Sequence, residues 1–146
     1  MGIKSIFKLI LTAEEWDNLP NNLTDEKAYD YLGDNSIYLY LDWKPRYDKI
    51  EVASFFSRRV RAVLNQELLV ELDKCDIFKH PYDFDTLDMI MYFDEAISKL
   101  GGCLVEWNLF DDAYRIFVVR QENACELSKI KSDFWNFIYL RERYYI

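Results

Sequence analysis

The chain is short of the residues that most site chemistry needs. It holds one histidine, His80, with three cysteines, four glycines and three prolines in 146 residues. So few glycines exclude a Gly-rich phosphate cradle: neither G-x-x-x-x-G-K-[ST] nor G-x-G-x-x-G occurs, and G-x-S-x-G and H-E-x-x-H are missing as well. One histidine and no C-x-x-C pair leave zinc without a ligand set. Cys75, Cys103 and Cys125 are odd in number and widely spaced, which reads as reduced cysteines in a cytoplasmic protein rather than a disulfide scaffold. No apolar run approaches the roughly 20 residues of a membrane span. At the start of the chain Lys8 interrupts the run from Ile6 to Leu11, so no signal peptide is expected. Ile6 stands where N-myristoylation needs Ser or Thr. No cofactor and no membrane partner is implied.

What is present is acid and aromatic. There are 26 Asp+Glu against 18 Lys+Arg, a net charge of -8, with 11 Tyr and 4 Trp. Acid on the surface selects basic partners, and tyrosine and tryptophan are favoured at contact surfaces. The same charge opposes nucleic-acid binding, whose affinity rests on neutralising phosphates. Hydrophobic residues make up 51% of the chain, enough for a core, and residues 1–146 are read as a single domain.

Periodicity gives the elements. Ile3, Ile6, Phe7, Ile10 and Leu11 form one helical stripe. Thr12 and Glu15 make a capping box for a short helix ending before Pro20, and Thr24 caps another, with Gly33 supplying its left-handed end. Ser36 to Trp43 alternate as a strand with two covered faces, which predicts a central position. Asp48 with Glu51 opens a helix carrying Val52, Phe56, Val60 and Val63 inward, with Arg58, Arg59 and Arg61 off that stripe. Residues 66–73 read as a second strand, with continuation of the helix as the rival. Asp85 opens a further helix that ends at Gly101-Gly102. Cys103 to Leu109 and Ala113 to Arg120 form a hairpin around Phe110-Asp111-Asp112. Asn123 and Glu126 start a last helix with the stripe Leu127, Ile130, Phe134 and Ile138. The order ααβαβαββα predicts an α/β fold, a four-stranded mixed sheet flanked by helices with parallel crossovers; a two-layer α+β arrangement is the alternative.

Three stretches carry a resemblance: Leu41-Asp42-Trp43-Lys44, the helix and strand ending in Asp73, and the hairpin from Gly102 through Asp111-Asp112-Ala113-Tyr114. Their ordering resembles a family of small bacterial domains of unknown function, some grouped with immunity-like proteins, over roughly residues 36–125. The resemblance implies the fold order and a bacterial cytosolic setting and transfers no activity. Pro45-Arg46 departs from the acidic residue expected after Trp43-Lys44.

The site candidates are acids at strand ends. Asp42 ends the first strand, Asp73 and Asp76 follow the second, and Asp111 and Asp112 sit in the hairpin turn. Parallel strands would gather them at one sheet edge, where open α/β sheets place ligands, with Trp43, His80 and Tyr114 beside them. Such a cluster suits the docking of a basic protein on Asp42, Trp43, Asp73, Asp111, Asp112 and Tyr114, as an immunity-type inhibitor occluding a toxin would need. It also suits a metal-assisted hydrolase using Asp42, Asp111 and Asp112, although no catalytic signature is present. Aspartates that only cap backbone N–H groups at turns are the plainer reading. A homodimer through Trp135, Tyr139, Tyr144 and Tyr145 is a further one. His80 as a general base lacks a nucleophile beside it. Asp83-x-Asp85-x-x-Asp88 lacks the glycine and closing glutamate of a calcium loop and reads as a helix start. Arg58, Arg59 and Arg61 read as a solvated helix face paired with nearby acid, or as a phosphate grip.

Overall fold

The computed structural model describes residues 2–42, 48–70 and 86–140. Six helices and four strands lie among the described residues. They are α1 (Ile3–Ile10), α2 (Ala13–Asp17), α3 (Asp25–Asp34), β1 (Leu39–Asp42), α4 (Lys49–Leu64), α5 (Thr86–Ser98), β2 (Gly102–Trp107), β3 (Ala113–Arg120), α6 (Gln121–Ser128) and β4 (Phe137–Tyr139).

The sheet has the order β1-β3-β2-β4. All three pairings are antiparallel, with Leu41 opposite Tyr114, Leu104 opposite Val118 and Trp107 opposite Phe137. A four-stranded sheet flanked by helices is therefore observed, while the expected parallel crossovers are not. The hairpin β2–β3 supplies both central strands, and β1 lies at an edge rather than in the centre.

Alternation along the central strands divides the core in two. Cys103, Val105, Trp107, Phe117 and Val119 meet α1, α3 and α6 on one face. Leu104, Ile116 and Val118 meet α4 and α5 on the other. Every residue of β2 is buried, as a strand covered on both faces requires.

Most helix ends are as the sequence predicts. The Thr12 hydroxyl accepts from the Glu15 N–H at 3.2 Å and Glu15 Oε1 accepts from the Thr12 N–H at 2.9 Å, so both halves of the capping box form. Thr24 caps α3, and Asp48 Oδ1 accepts from the N–H groups of Ile50 and Glu51 at the start of α4. Gly33 is different. It lies inside α3, and the left-handed turn falls at Ser36, φ 52°. Its missing side chain serves another purpose: a Cβ there would stand 2.9 Å from the Tyr38 hydroxyl.

Two expected elements change. Asn65 takes a left-handed conformation, φ 53°, and stops α4 at Leu64; residues 66–70 are neither strand nor helix, and 71–73 lie outside the described residues. The last helix ends at Ser128, and Phe137–Tyr139 forms β4 instead of continuing the helical stripe. Tertiary packing overrides the spacing of Ile130, Phe134 and Ile138. Phe137 is fully buried beside Trp107, and the Trp107 indole N–H donates to the Phe134 carbonyl at 2.7 Å.

That corner explains many aromatics. Trp107 and Trp135 stack with centroids 4.9 Å apart and planes 5° from parallel. Tyr29, Tyr38, Phe117, Phe134 and Phe137 close around Trp107. Trp135 is buried, and its indole N–H donates to Asp25 Oδ1 at 2.9 Å. Trp135 is thus a core residue of its own chain and not an exposed dimer anchor; Tyr139 is half-buried in β4, and Tyr144 and Tyr145 lie outside the described residues.

Candidate functional site

Of the strand-end acids, Asp42 lies beside Asp111 and Asp112, by a route opposite to the expected one. Because β1 runs antiparallel to β3, Asp42 at the end of β1 sits opposite Ala113 at the start of β3. Asp111 and Asp112 immediately precede that residue, and Tyr114 lies opposite Leu41. Parallel strands were not needed, since the end of one strand meets the beginning of its antiparallel neighbour. Asp42 and Asp112 are exposed. The Asp42 carbonyl accepts from the Thr86 hydroxyl at 3.0 Å, which ties the end of β1 to the start of α5. Trp43, Asp73, Asp76 and His80 lie outside the described residues.

The hairpin turn is fixed by its own side chains. Asn108 Oδ1 accepts from the Phe110 N–H at 2.8 Å, and Asp111 Oδ1 accepts from the Ala113 N–H at 3.2 Å. Phe110 takes φ 60° and is 70% exposed, an uncommon place for a bulky apolar side chain. Tyr40, one strand over, is 56% exposed. Neither aromatic was singled out from the sequence. The available signal at Phe110 is an apolar residue in the middle of a polar turn.

Arg115 organises the same edge from beneath. It is buried, and its Nη1 and Nη2 reach Asp111 Oδ1 and Oδ2 at 3.1 and 2.9 Å, while Nε reaches the Tyr29 hydroxyl at 3.4 Å. Its guanidinium lies 5.6 Å from the Tyr29 ring and 5.2 Å from the Tyr40 ring. The hydrogen bonds from Arg115 hold the Asp111 carboxyl below the usual carboxylate range. Burial works against the Arg115 charge, but its bonds to Asp111 and Tyr29 outweigh that and push its pKa up. Arg115 lowers the neighbouring Tyr29 phenol, whereas burial pushes Tyr38 up. Asp111 is therefore committed within the chain, and its role is to hold Arg115. The sequence carried a hint of this: Arg115 shares its strand face with Phe117 and Val119, and a cation on an apolar face needs a partner.

Between β1 and the start of α4 lies a cleft of about 280 Å³ lined by Leu39–Asp42, Asp48, Glu51 and Val52. Among the described residues three of those side chains are acidic and none is basic. Ile50, at the same helix start, is 65% exposed. Among the described residues no group of three or more His, Cys, Asp and Glu is placed to hold a metal ion, so Asp42, Asp111 and Asp112 do not form the carboxylate triad that a metal-assisted hydrolase needs.

Arg59 departs most from its expected place. It is 1% exposed rather than solvated, and it donates from Nη1 and Nη2 to Glu15 Oε2 and Oε1 at 2.6 and 3.3 Å. Burial alone would raise the Glu15 carboxyl; the Arg59 bond and the Thr12 N–H overcome this and hold it below 4.5. The Arg59 Nε is buried without an acceptor among the described residues, a state that costs about 1–3 kcal/mol. Arg58 and Arg61 are exposed, as expected.

Cys103 is buried and Cys125 exposed, and Cys75 lies outside the described residues. No helix among the described residues is long and apolar enough to cross a membrane.

The family model described as Domain of unknown function (DUF6630) matches residues 7–136. No curated protein and no solved structure matches the chain.

Proposed function

We propose, for a chain that belongs to the DUF6630 family of unknown function, that it is a protein-binding module whose strand-end edge docks a basic protein. The observation that carries this reading is the register that sets Asp42 opposite Ala113, so that Asp42 and Asp112 share one exposed edge. Two features support it. Tyr40 on β1 and Phe110 in the adjoining hairpin turn are large and exposed, as anchors for a partner should be. The cleft beside β1 adds Asp48 and Glu51 to the acidic rim. Rim carboxylates steer a basic partner and set its on-rate, while the aromatics bury at the centre.

The finer form of the proposal is an immunity-type inhibitor acting in the bacterial cytoplasm. It occludes a basic toxin and performs no chemistry of its own. The net charge of -8 fits that task, and so does the absence of a phosphate cradle or catalytic motif in the sequence.

The test is affinity capture at low salt with the wild-type protein, Asp42→Lys/Asp112→Lys, and a control reversal at exposed Glu122→Lys on α6. The expected result is a basic partner recovered by the wild type and by the control but lost with the double reversal. A partner retained equally by all three proteins, or no specific partner at all, would remove the basis of the proposal.

A further inference from the structure

A second site lies away from the strand-end edge, where α2, α3 and α4 enclose a cleft of about 310 Å³. That volume is at the lower end for small-molecule sites. Arg59 lines it with its guanidinium fork spent on Glu15 and its buried Nε without an acceptor among the described residues. That atom is closed to solvent, so Arg59 offers the cleft its charge rather than a donor.

Arg58, the next residue of α4, lines the same cleft and gives only Nη2, to the Ser36 carbonyl at 2.8 Å. Of the two guanidinium groups only that of Arg59 is paired with a carboxylate, that of Glu15, among the described residues. Burial and the Arg59 charge both act to lower the Arg58 pKa, as expected for a cation short of anions. This side of the cleft calls for a negative group.

Another part of the lining calls for the opposite. Asn18 and Asn35 donate their amide nitrogens to the carbonyls of Glu14 and Tyr31 at 2.9 and 2.8 Å. Each keeps its Oδ1 to accept a hydrogen bond. Glu14 completes this acceptor set; it is exposed, and its carboxylate has no ion pair or hydrogen bond among the described residues. A purely anionic ligand such as phosphate would meet Glu14, and a purely cationic one would meet Arg58 and Arg59.

The geometry points to a small zwitterion, a free α-amino acid, as the ligand of this cleft. Its carboxylate takes the spare donors of Arg58 and lies in the field of the Arg59 charge. Its ammonium takes the Asn18 and Asn35 oxygens and the Glu14 carboxylate. The site is separate from the strand-end edge, so its fate does not depend on the docking proposal.

The experiment screens the full chain against each free L-amino acid by thermal shift at neutral pH, then titrates the best one by calorimetry. At least one amino acid should raise Tm saturably. Acetate alone and methylammonium alone should bind at least tenfold more weakly. Arg58→Gln and Asn18→Leu, both at exposed positions that leave the Arg59–Glu15 pair in place, should each weaken binding at least tenfold. The proposal is overturned by a screen with no saturable shift, which would mean a cleft filled by water. It is overturned equally by acetate matching the best amino acid, or by both variants binding as the wild type does.

Discussion

Asp111 and Arg115 meet fork to fork, with Nη1 3.1 Å from Oδ1 and Nη2 2.9 Å from Oδ2. The pair joins the hairpin turn to the first buried residue of β3, whose guanidinium lies near both the Tyr29 and Tyr40 rings. Bidentate geometry fixes direction as well as charge.

Asp111→Asn should leave a buried cation with half its support. Breaking a fully buried pair costs about 3–5 kcal/mol. The Asp111 side chain is 44% exposed, so solvent screens part of that loss and about 1–2 kcal/mol is expected. Urea unfolding measures it. Arg115→Met combined with Asp111→Asn should recover part of the loss, because the unpaired buried charge is then gone. Strict additivity in that double-mutant cycle would contradict the pairing.

Acid should weaken the fold through two carboxylates. Glu15 and Asp111 are both held below their ordinary values of 4.5 and 3.8. A carboxyl lowered on folding contributes stability that is complete above its unfolded value and lost as pH falls through the folded one. Stability should therefore be flat above about pH 5 and fall steadily below about pH 4.5. Chemical denaturation across that range tests the slope, which should be shallower in Glu15→Gln. A slope unchanged by that substitution would mean that Arg59 does not hold Glu15.

Gly33→Ala should change sign with its background. Replacing glycine by alanine inside a helix ordinarily stabilises by about 1 kcal/mol. Here the new Cβ would stand 2.9 Å from the Tyr38 hydroxyl, whose ring is held among Tyr29, Trp107 and Phe117. Destabilisation is expected in the wild type. In a Tyr38→Phe background the nearest atom is the ring carbon at 3.5 Å, an ordinary contact, and the same substitution should stabilise. Thermal melts of the four proteins decide it.

Trp135→Phe should remove the stack on Trp107 and the bond to Asp25 together. The ring area is partly kept, so a cost of about 1–3 kcal/mol is expected. Circular dichroism provides a sharper signature. Two indoles 4.9 Å apart couple strongly, and the aromatic band they produce should vanish in the variant. A spectrum unchanged by the substitution would place Trp135 elsewhere.

What could be read from the sequence was local. The caps at Thr12, Thr24 and Asp48 each depend on residues two or three positions away, and each forms. The hairpin around Phe110-Asp111-Asp112 is likewise a short-range feature. Strand pairing is not. Nothing in Leu39–Asp42 states that its neighbour is β3, and the alternation of helices with strands favoured parallel crossovers, whereas the pairings among the described residues are antiparallel. The spacing of Leu127, Ile130 and Phe134 fits a helix equally well, and only the distant Trp107 decides for a strand at Phe137. The gathering of Asp42 with Asp111 and Asp112 was legible because all three flank strand ends. The burial of Arg59 was not, since its partner Glu15 lies on another helix.

The strand order has a consequence for how this protein is made. Among the described residues both outer strands, β1 and β4, pair only with the hairpin between them. During synthesis β1 leaves the ribosome long before its partner β3 exists, and it must wait without its ladder while α4 and α5 are translated. The sheet then starts from β2–β3 and grows outward in both directions, with its earliest strand among the last to be seated. Non-local pairing of this kind slows folding and exposes strand edges meanwhile. Asp42 at the end of that waiting strand is a charged residue where an exposed edge most needs one.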